Sequence, residues 1–236
     1  MSNQSTTSGG STHCLSRHKF TFWLYRLAGK IYARAYLDFR SQPVKLGLQG
    51  PHLILCNSQT LQDALLVRLA FDYPVYCVQT HAQRRNPIAL AADALTAPIW
   101  QKPGKSTWTA AAVQNIKQVI DEGGSVCLFP CSDPAYGYVP QPISKQTVPL
   151  IRALNVPVIL YALHGGAGAL PRWGDGRRKG PFIGRLERTL MPEEYADMSD
   201  AELFTLINRT LSVNDKALDL TYHSNHRAER LERVLY

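Results

Sequence analysis

A polar stretch between Asn57 and Asp63 holds residue types that can take part in catalysis or ligand binding. The apolar run 52–56 before it has the length of a buried strand, and leucines recur at helical spacing from Leu61 onward. A strand that runs into a helix brings the polar side chains between them to the carboxyl edge of a sheet. Ligands bind at that edge in open α/β folds. We therefore expect Asn57, Ser58 and Asp63 to line a ligand site.

The rest of the chain must supply the sheet that positions this stretch. Short apolar runs alternate with amphipathic segments, which predicts a single α/β domain with a mostly parallel central sheet flanked by helices. The predicted strands are residues 52–56, 74–79, 97–100, 125–129, 157–163 and, at an edge of the sheet, 182–186. The predicted helices include a short one at 86–95, one capped by Ser106 or Thr107, one from Pro149 to about Asn155, and one that a capping box opens at Ser199 and Glu202.

Composition narrows the class of partner. The 236 residues carry a net charge of +8, which indicates an anionic partner such as a membrane surface, a nucleic acid or a phosphorylated substrate. No apolar run approaches the roughly 18 residues of a membrane-spanning helix. The five cysteines lack paired spacing, which argues against a disulfide framework and a zinc site. Residues 1–18 are polar, lack a secretory signal and are expected to be disordered, so the cytoplasm is the expected compartment.

Residues 19–37 predict a basic amphipathic helix with Trp23 on its basic side. The basic residues are Lys19, Arg26, Lys30 and Arg34, and the apolar residues on the other side are Phe20, Leu24, Leu27, Ile31 and Ala35. Such a helix suits an anionic membrane surface. It suits equally a helix that packs within the domain and leaves its charged side in solvent. The sequence leaves both interpretations open.

Three segments occur in an order and spacing that resemble the glycerolipid acyltransferases, the 1-acylglycerol-3-phosphate (lysophosphatidate) acyltransferase family. They are NSQTLQD (57–63), GGSVCLFPCSDP (123–134) and NVPVILYALHGG (155–166). The resemblance implies acyl transfer from acyl-CoA or acyl-carrier protein to a lysophospholipid-type acceptor, at the cytoplasmic, inner face of a membrane. It implies no metal, no cofactor beyond the acyl thioester and no nucleic-acid partner.

The first family motif reads NHxxxxD, in which the His is the base for the acceptor hydroxyl and the Asp orients it. Here Asn57 and Asp63 are kept, but Ser58 stands at the His position. A serine hydroxyl is not basic near neutral pH, so loss of the base is expected to cost roughly a hundredfold to ten-thousandfold in rate. His81 follows the second predicted strand and is either a displaced base or an ordinary loop histidine. His52 and His164 are expected to be structural.

The third family motif, FPEGTR, reads FPCSDP at 129–134. The residues predicted to bind substrate are Asn57, Lys102, Phe129, Pro130, Cys131, Ser132 and Lys145. Pro134 stands at the Arg position of this motif and offers no donor to a phosphate. The second family motif usually has an Arg where Lys102 stands here, and the lysine keeps the charge but not the planar donors. An acyl-cysteine at Cys131 is disfavoured, because Asp133 would raise the pKa of its thiol.

Two hypotheses from different classes follow. In the first, the protein is an acyltransferase whose activity is impaired because its base and its phosphate-binding Arg are missing. In the second, it is a non-catalytic protein that binds lipid or acyl chains or regulates a partner acyltransferase. The expected organisation is a disordered tail (1–18), the amphipathic helix (19–37), an acyltransferase-like domain (38–212) and a charged C-terminal extension (213–236).

Overall fold

The computed structural model describes residues 15–41, 44, 50–80, 95–101, 108–131, 141–171, 177–215 and 221–223. Its helices are α1 (Leu15–Leu37), α2 (Asp63–Ala70), α3 (Ala110–Asp121), α4 (Thr147–Leu154), α5 (Gly166–Ala169), α6 (Pro192–Ala196) and α7 (Asp200–Leu211). Its strands are β1 (Phe39–Ser41), β2 (Leu53–Cys56), β3 (Val75–Thr80), β4 (Ile99–Gln101), β5 (Ser125–Leu128), β6 (Val158–His164) and β7 (Phe182–Leu190). His81, Lys102, Ser132, most of the predicted tail and most of the predicted helix at 86–95 lie outside the described residues.

Within the described residues, seven strands form one sheet in the order β1-β7-β6-β2-β5-β3-β4. Strands β2 to β6 run parallel to one another. Strand β7 runs antiparallel to β6, and β1 pairs in parallel with β7. The predicted single α/β domain with a mostly parallel central sheet is therefore confirmed. The prediction of an edge strand at 182–186 is wrong, because β7 extends to Leu190 and lies between β1 and β6.

The central strands are buried on both faces. One hydrophobic cluster lies under α1 and α2 and includes Ile54 and Cys56 of β2. A second cluster lies under α3, α4 and α7 and includes Leu53 and Leu55. Successive strand residues point to opposite faces of a sheet, so a strand covered on both sides needs an unbroken apolar sequence. That requirement explains the run of apolar residues in β2 and the helices on either side of it.

The carboxyl ends of five parallel strands meet at one edge of the sheet. These strands end at Cys56, Thr80, Gln101, Leu128 and His164. The residues that the sequence singles out around 57–63 and 129–131 follow β2 and β5, which are neighbours in the sheet. The topology therefore places these two segments next to each other at the edge where α/β folds bind ligands.

Two helix boundaries show how local chemistry sets the elements. The capping box at Ser199 and Glu202 is confirmed, with both of its reciprocal hydrogen bonds present at the start of α7. At α3 the cap is Thr109, whose side chain accepts from the backbone N–H of Ala112. The predicted caps at Ser106 and Thr107 are therefore wrong, because the helix begins nearer to its first buried residues.

Helix α1 begins at Leu15, four residues before the predicted start, and packs on α2. Its buried positions are Phe22, Tyr25, Gly29, Ala33 and Leu37, at a spacing of three or four residues. A Cβ at Gly29 would lie 2.9 Å from Leu69 Cδ2, so the glycine lets the two helices approach closely. Within the described part of the chain, no helix is both long and apolar enough to cross a membrane.

The apolar side of α1 that the sequence predicts does not face the domain. Its residues Phe20, Leu24, Leu27 and Ile31 are all exposed, Phe20 by 71% and Ile31 by 66%. Helix α1 therefore packs within the domain and leaves Lys30 and Arg34 in solvent, but it does so through the side opposite to the predicted apolar one. The buried residues on the opposite side, which are two aromatic, one leucine and two small residues, make the domain contact instead and leave an unusually apolar surface outside.

Candidate functional site

Asn57 closes the end of the pairing between β2 and β6. Its Nδ2 donates to the carbonyl oxygen of Leu163 at 2.9 Å, and its Oδ1 accepts from the Leu163 N–H at 2.7 Å. The side chain thus takes the place of one more residue of strand pairing and is buried. This geometry holds the residue after Asn57 beside the end of β6. The predicted role of Asn57 in binding substrate stays a prediction.

Asp63 is the first residue of α2 and the central acceptor of the motif loop, which we define as residues 57–63. Its carboxylate accepts from the backbone N–H groups of Gln59 (2.6 Å) and Thr60 (2.9 Å) and from the hydroxyl of Thr60 (2.7 Å). The hydroxyl of Ser58 donates to it at 3.2 Å. A carboxylate at a helix N-terminus is also favoured by the helix dipole. Hydrogen bonds to Asp63 therefore hold the conformation of the loop.

Burial and hydrogen bonding shift the pKa of Asp63 in opposite directions. Burial raises the pKa of Asp63 from its ordinary 3.8 to about 6, and the hydrogen bonds from Thr60, Gln59 and Ser58 oppose the rise. Removal of the carboxylate from water disfavours its charge more than the donors restore it. Asp63 is consequently a stronger base than an exposed carboxylate, although it is still a weak base at neutral pH.

Ser58 and Cys131 meet at this edge of the sheet. Ser58 is partly buried, and its backbone N–H is near enough to the sulfur of Cys131 to lower the pKa of that thiol. The Cys131 thiol also donates to the carbonyl oxygen of Gln141 at 3.4 Å. The structure therefore brings Ser58, Asp63 and Cys131 together, as the order of the motifs predicts.

The environment of Cys131 keeps its thiol protonated. Burial raises its pKa to about 11, the Ser58 N–H opposes the rise, and the charge of Asp63 adds to it. Because the thiolate is the nucleophile, a thiol with this pKa is a poor candidate for an acyl-cysteine. Asp133, which the sequence offers as the cause of a raised pKa, lies outside the described residues.

The remaining predicted substrate-binding residues surround this cluster. Phe129 is partly buried against the cluster under α2, and the carbonyl oxygen of Pro130 accepts from the Ser144 N–H at 2.9 Å. Cys131 pairs with Ile143, so Lys145 comes near the same edge and is exposed there. An exposed lysine at this place can meet an anionic group of a ligand.

Sequence reasoning missed a second group of polar residues beside the motif loop. His164 Nε2 lies 3.1 Å from Glu187 Oε1. Asp215 Oδ2 accepts from the Gln59 side chain and from the Gly165 N–H. Gln59 lies within the motif itself, but nothing in the sequence marks it as a functional residue beside Ser58 and Asp63. Asp215 is 156 residues away in the chain and has no local sequence signal.

The histidine at the other end of β2 is structural, as expected. The backbone N–H of His52 donates to Ser125 Oγ at 3.2 Å, and its ring stacks on Tyr73. It precedes β2 and therefore lies at the amino edge of the sheet, away from the motif loop.

Comparison with known proteins defines the class of fold. The chain is similar in structure to the 1-acyl-sn-glycerophosphate (LPA) acyltransferase PlsC from Thermotoga maritima, with a TM-score of 0.68 over 85% of this chain and 80% of that one. The two sequences are 14% identical, so the similarity is one of fold. No family model and no curated protein matches the sequence. The protein thus has an acyltransferase-like fold, which the resemblance of its motifs implies.

Proposed function

We propose that this protein is an acyltransferase-like protein of glycerolipid metabolism whose acyl transfer is impaired. It holds an acyl thioester, from acyl-CoA or acyl-carrier protein, and a lysophospholipid-type acceptor at the carboxyl edge of its sheet. The observation that carries this proposal is the cluster of Ser58, Asp63 and Cys131 at that edge. The fold shared with an LPA acyltransferase supports it.

The impairment follows from the proton that acyl transfer must move. The acceptor hydroxyl oxygen attacks the thioester carbonyl carbon, the carbon–sulfur bond breaks, and a base must take the hydroxyl proton. Ser58 is not such a base, since its own hydroxyl donates to Asp63. Asp63, with a pKa of about 6, is a weak base whose oxygens already accept hydrogen bonds from its own loop. Turnover about a hundredfold to ten-thousandfold below that of an intact site is therefore expected.

In this proposal the ligands lie among the predicted substrate-binding residues. Phe129, Pro130, Cys131 and Ser132 line the acyl and acceptor groups, while Lys102 and Lys145 meet the anionic headgroup. The exposed position of Lys145 beside the segment paired with Cys131 supports that role. In this proposal His81, which follows β3 in the sequence, is the displaced base for any remaining turnover.

The ligands reach the site from an anionic membrane surface in the cytoplasm, at the inner face of the membrane. The exposed apolar side of α1 supports this proposal, since Leu24 and Leu27 lie there opposite the buried side of the helix. Lys30 and Arg34 are exposed beside that surface. Apolar and aromatic side chains flanked by basic residues are typical of helices that lie in a membrane interface.

Vesicle binding tests the membrane surface. Leu27→Asp together with Ile31→Asp should weaken binding to phosphatidylglycerol vesicles by about tenfold or more, because charged groups replace apolar ones at the interface. The matched control is Met191→Asp, which changes an exposed apolar residue just before α6. Equal binding by all three proteins in a sedimentation assay would remove α1 from the proposal.

Acyl transfer tests the proposed function itself. Labelled palmitoyl groups are offered from palmitoyl-CoA and palmitoyl-acyl-carrier protein to lysophosphatidate, with wild type, Ser58→His and Ser58→Ala in parallel. Ser58→His should raise turnover by about a hundredfold, since it places an imidazole beside Asp63. Ser58→Ala, which cannot supply a base, should not. Folded Ser58→His with no more activity than Ser58→Ala contradicts the proposal that the site lacks chiefly its base.

The second candidate function is a non-catalytic protein that binds lipid or acyl chains, or that regulates a partner acyltransferase. The observation that favours it is the use of Asp63 as the acceptor of its own loop. Such a carboxylate serves the fold without any reaction. Calorimetric binding of palmitoyl-CoA or lysophosphatidate, with no turnover in wild type or in Ser58→His, distinguishes this function from the first.

A further inference from the structure

The side chain of Gln59 is held at both ends. Its Oε1 accepts from the Gly166 N–H at 2.6 Å, and its Nε2 donates to Asp215 Oδ2 at 3.0 Å. The amide cannot turn over without losing both bonds, because its oxygen and nitrogen would exchange places. A Cβ at Gly166 would lie 2.6 Å from Gln59 Oε1, so only glycine leaves room for this side chain. The motif loop is therefore fastened to the turn after β6.

Asp215 lies beyond α7 and completes this attachment. Its Oδ2 accepts from the Gly165 N–H at 2.9 Å as well as from Gln59, and only 5% of the residue is exposed. One carboxylate oxygen thus joins the end of β6 to the motif loop. A buried acceptor of two donors is costly to remove, because both donors then lack a partner.

A second contact brings the C-terminal segment to the same place. The hydroxyl of Tyr222 donates to the carbonyl oxygens of Gly165 (2.9 Å) and Pro181 (3.2 Å). Its ring lies against Gly168 and Gly180, where a Cβ would collide with it. Asp215 and Tyr222, which belong to the expected extension, therefore both contact the end of β6.

The attachment of Gln59 bears on the site through the backbone of the motif loop. The Gln59 N–H donates to Asp63 at 2.6 Å, and the hydroxyl of the preceding residue, Ser58, donates to Asp63 at 3.2 Å beside Cys131. A displacement of Gln59 would move the Ser58 N–H and hydroxyl with it. Misplacement of a reacting or binding group by about 1 Å can cost a hundredfold.

We propose that Gln59 and Asp215 are a positioning pair, through which the segment after α7 fixes the motif loop in its working place. This inference rests on the proposed function for its consequence on ligands, but the pair itself is a matter of structure. Asp215 acts through Gln59 and touches no ligand. The site is accordingly incomplete without residues that follow the predicted domain boundary at 212.

Four variants in the full-length protein test the pair. Asp215→Leu and Gln59→Leu remove the polar groups, and the double variant removes both. Asp215→Asn is the conservative change, because its amide oxygen can accept from both Gln59 and Gly165. The first readout is the backbone amide signal of Ser58 in a 15N-labelled sample. The second is the affinity for palmitoyl-CoA measured by calorimetry, together with KM and kcat where turnover is detected.

Each leucine variant should shift the Ser58 amide signal and weaken palmitoyl-CoA binding between about tenfold and a hundredfold. Asp215→Asn should return both readouts towards wild type. The double variant should be no worse than the worse single variant, because the two residues act as one unit. A Ser58 signal that does not move in folded Asp215→Leu overturns the proposal, as does a double variant with the summed effect of the singles.

If Asp215→Leu does not fold, Gln59→Glu decides the question. It keeps an acceptor for the Gly166 N–H but loses the donor to Asp215 and sets two carboxylates side by side. An unchanged Ser58 signal in this variant overturns the proposal. If wild type binds no palmitoyl-CoA, the proposed function fails, and the positioning pair stands or falls on the Ser58 signal alone.

Discussion

The motif loop and the turn after β6 lie side by side at the carboxyl edge of the sheet, yet the buried carboxylates at the two places accept different sets of hydrogen bonds. Both oxygens of Asp63 accept hydrogen bonds from residues three to five positions away in the chain. Asp215 accepts two bonds on Oδ2, while its Oδ1 is buried without a hydrogen-bond partner in the structure as described. His164 Nδ1, which lies near Asp215, is likewise buried without a hydrogen-bond partner among the described residues.

Asp63 is bonded to residues close to it in the sequence, whereas Asp215 is bonded to residues far from it. Asp63 organises its own loop, and its donors come with it wherever the loop goes. Asp215 joins parts of the chain that are distant in sequence, through the two hydrogen bonds that its Oδ2 accepts from Gln59 and Gly165. In the functions proposed above, the motif loop supplies the chemistry of the site and the turn after β6 determines where the loop lies.

The largest effect on stability is expected at Asp63. Asp63→Ala leaves the hydroxyls of Ser58 and Thr60 and two backbone N–H groups without their acceptor. We expect the free energy of unfolding to fall by about 3 kcal/mol or more, since each buried donor that lacks a partner costs about 1–3 kcal/mol. Urea denaturation at pH 7 measures the loss.

The matched comparison is Asp215→Ala, which deprives only Gln59 and Gly165 of an acceptor and removes an oxygen that had no partner. A loss of about 1–2 kcal/mol is expected. An equal loss in the two variants would contradict the distinction between the loops.

A smaller effect is expected in the pH dependence of stability. The pKa of Asp63 is about 6 in the folded protein and ordinarily 3.8, so the folded protein binds this proton more tightly than the unfolded chain. Its contribution to stability is complete below pH 3.8 and is lost as the pH rises through 6, at about 1.4 kcal/mol per pH unit. The raised pKa of Asp215, which burial causes, adds a loss of the same sign.

The contribution of Asp63 is obtained as a difference between two proteins. Unfolding free energies of wild type and Asp63→Asn are measured by urea denaturation from pH 4.5 to 7. The advantage of wild type over the variant should shrink as the pH rises, because only wild type releases this proton. A difference that does not change with pH would mean that Asp63 is not the group that titrates.

Much of the fold was predictable because it follows from local patterns. The apolar run before Asn57 forms a buried strand, and the capping box at Ser199 opens a helix where the sequence places it. The meeting of Ser58 and Cys131 was also predictable, since both follow parallel strands of one sheet. The inner position of β7 in the sheet was not predictable, because β7 pairs with β1, a strand of three residues that carries no sequence signal.

The sequence by itself determined the parallel strands β2 to β6, the long helices and the edge of the sheet at which the candidate site lies, because periodicity and capping act within a few residues. Only the tertiary structure decided which side of α1 is buried, since that helix carries apolar residues on two sides and the surface of α2 accepts one of them. Only the tertiary structure joined Gln59 to Asp215, because 156 residues of chain separate them and no local pattern connects such partners. Contacts between residues distant in sequence thus complete a candidate site whose polar residues the sequence alone indicates.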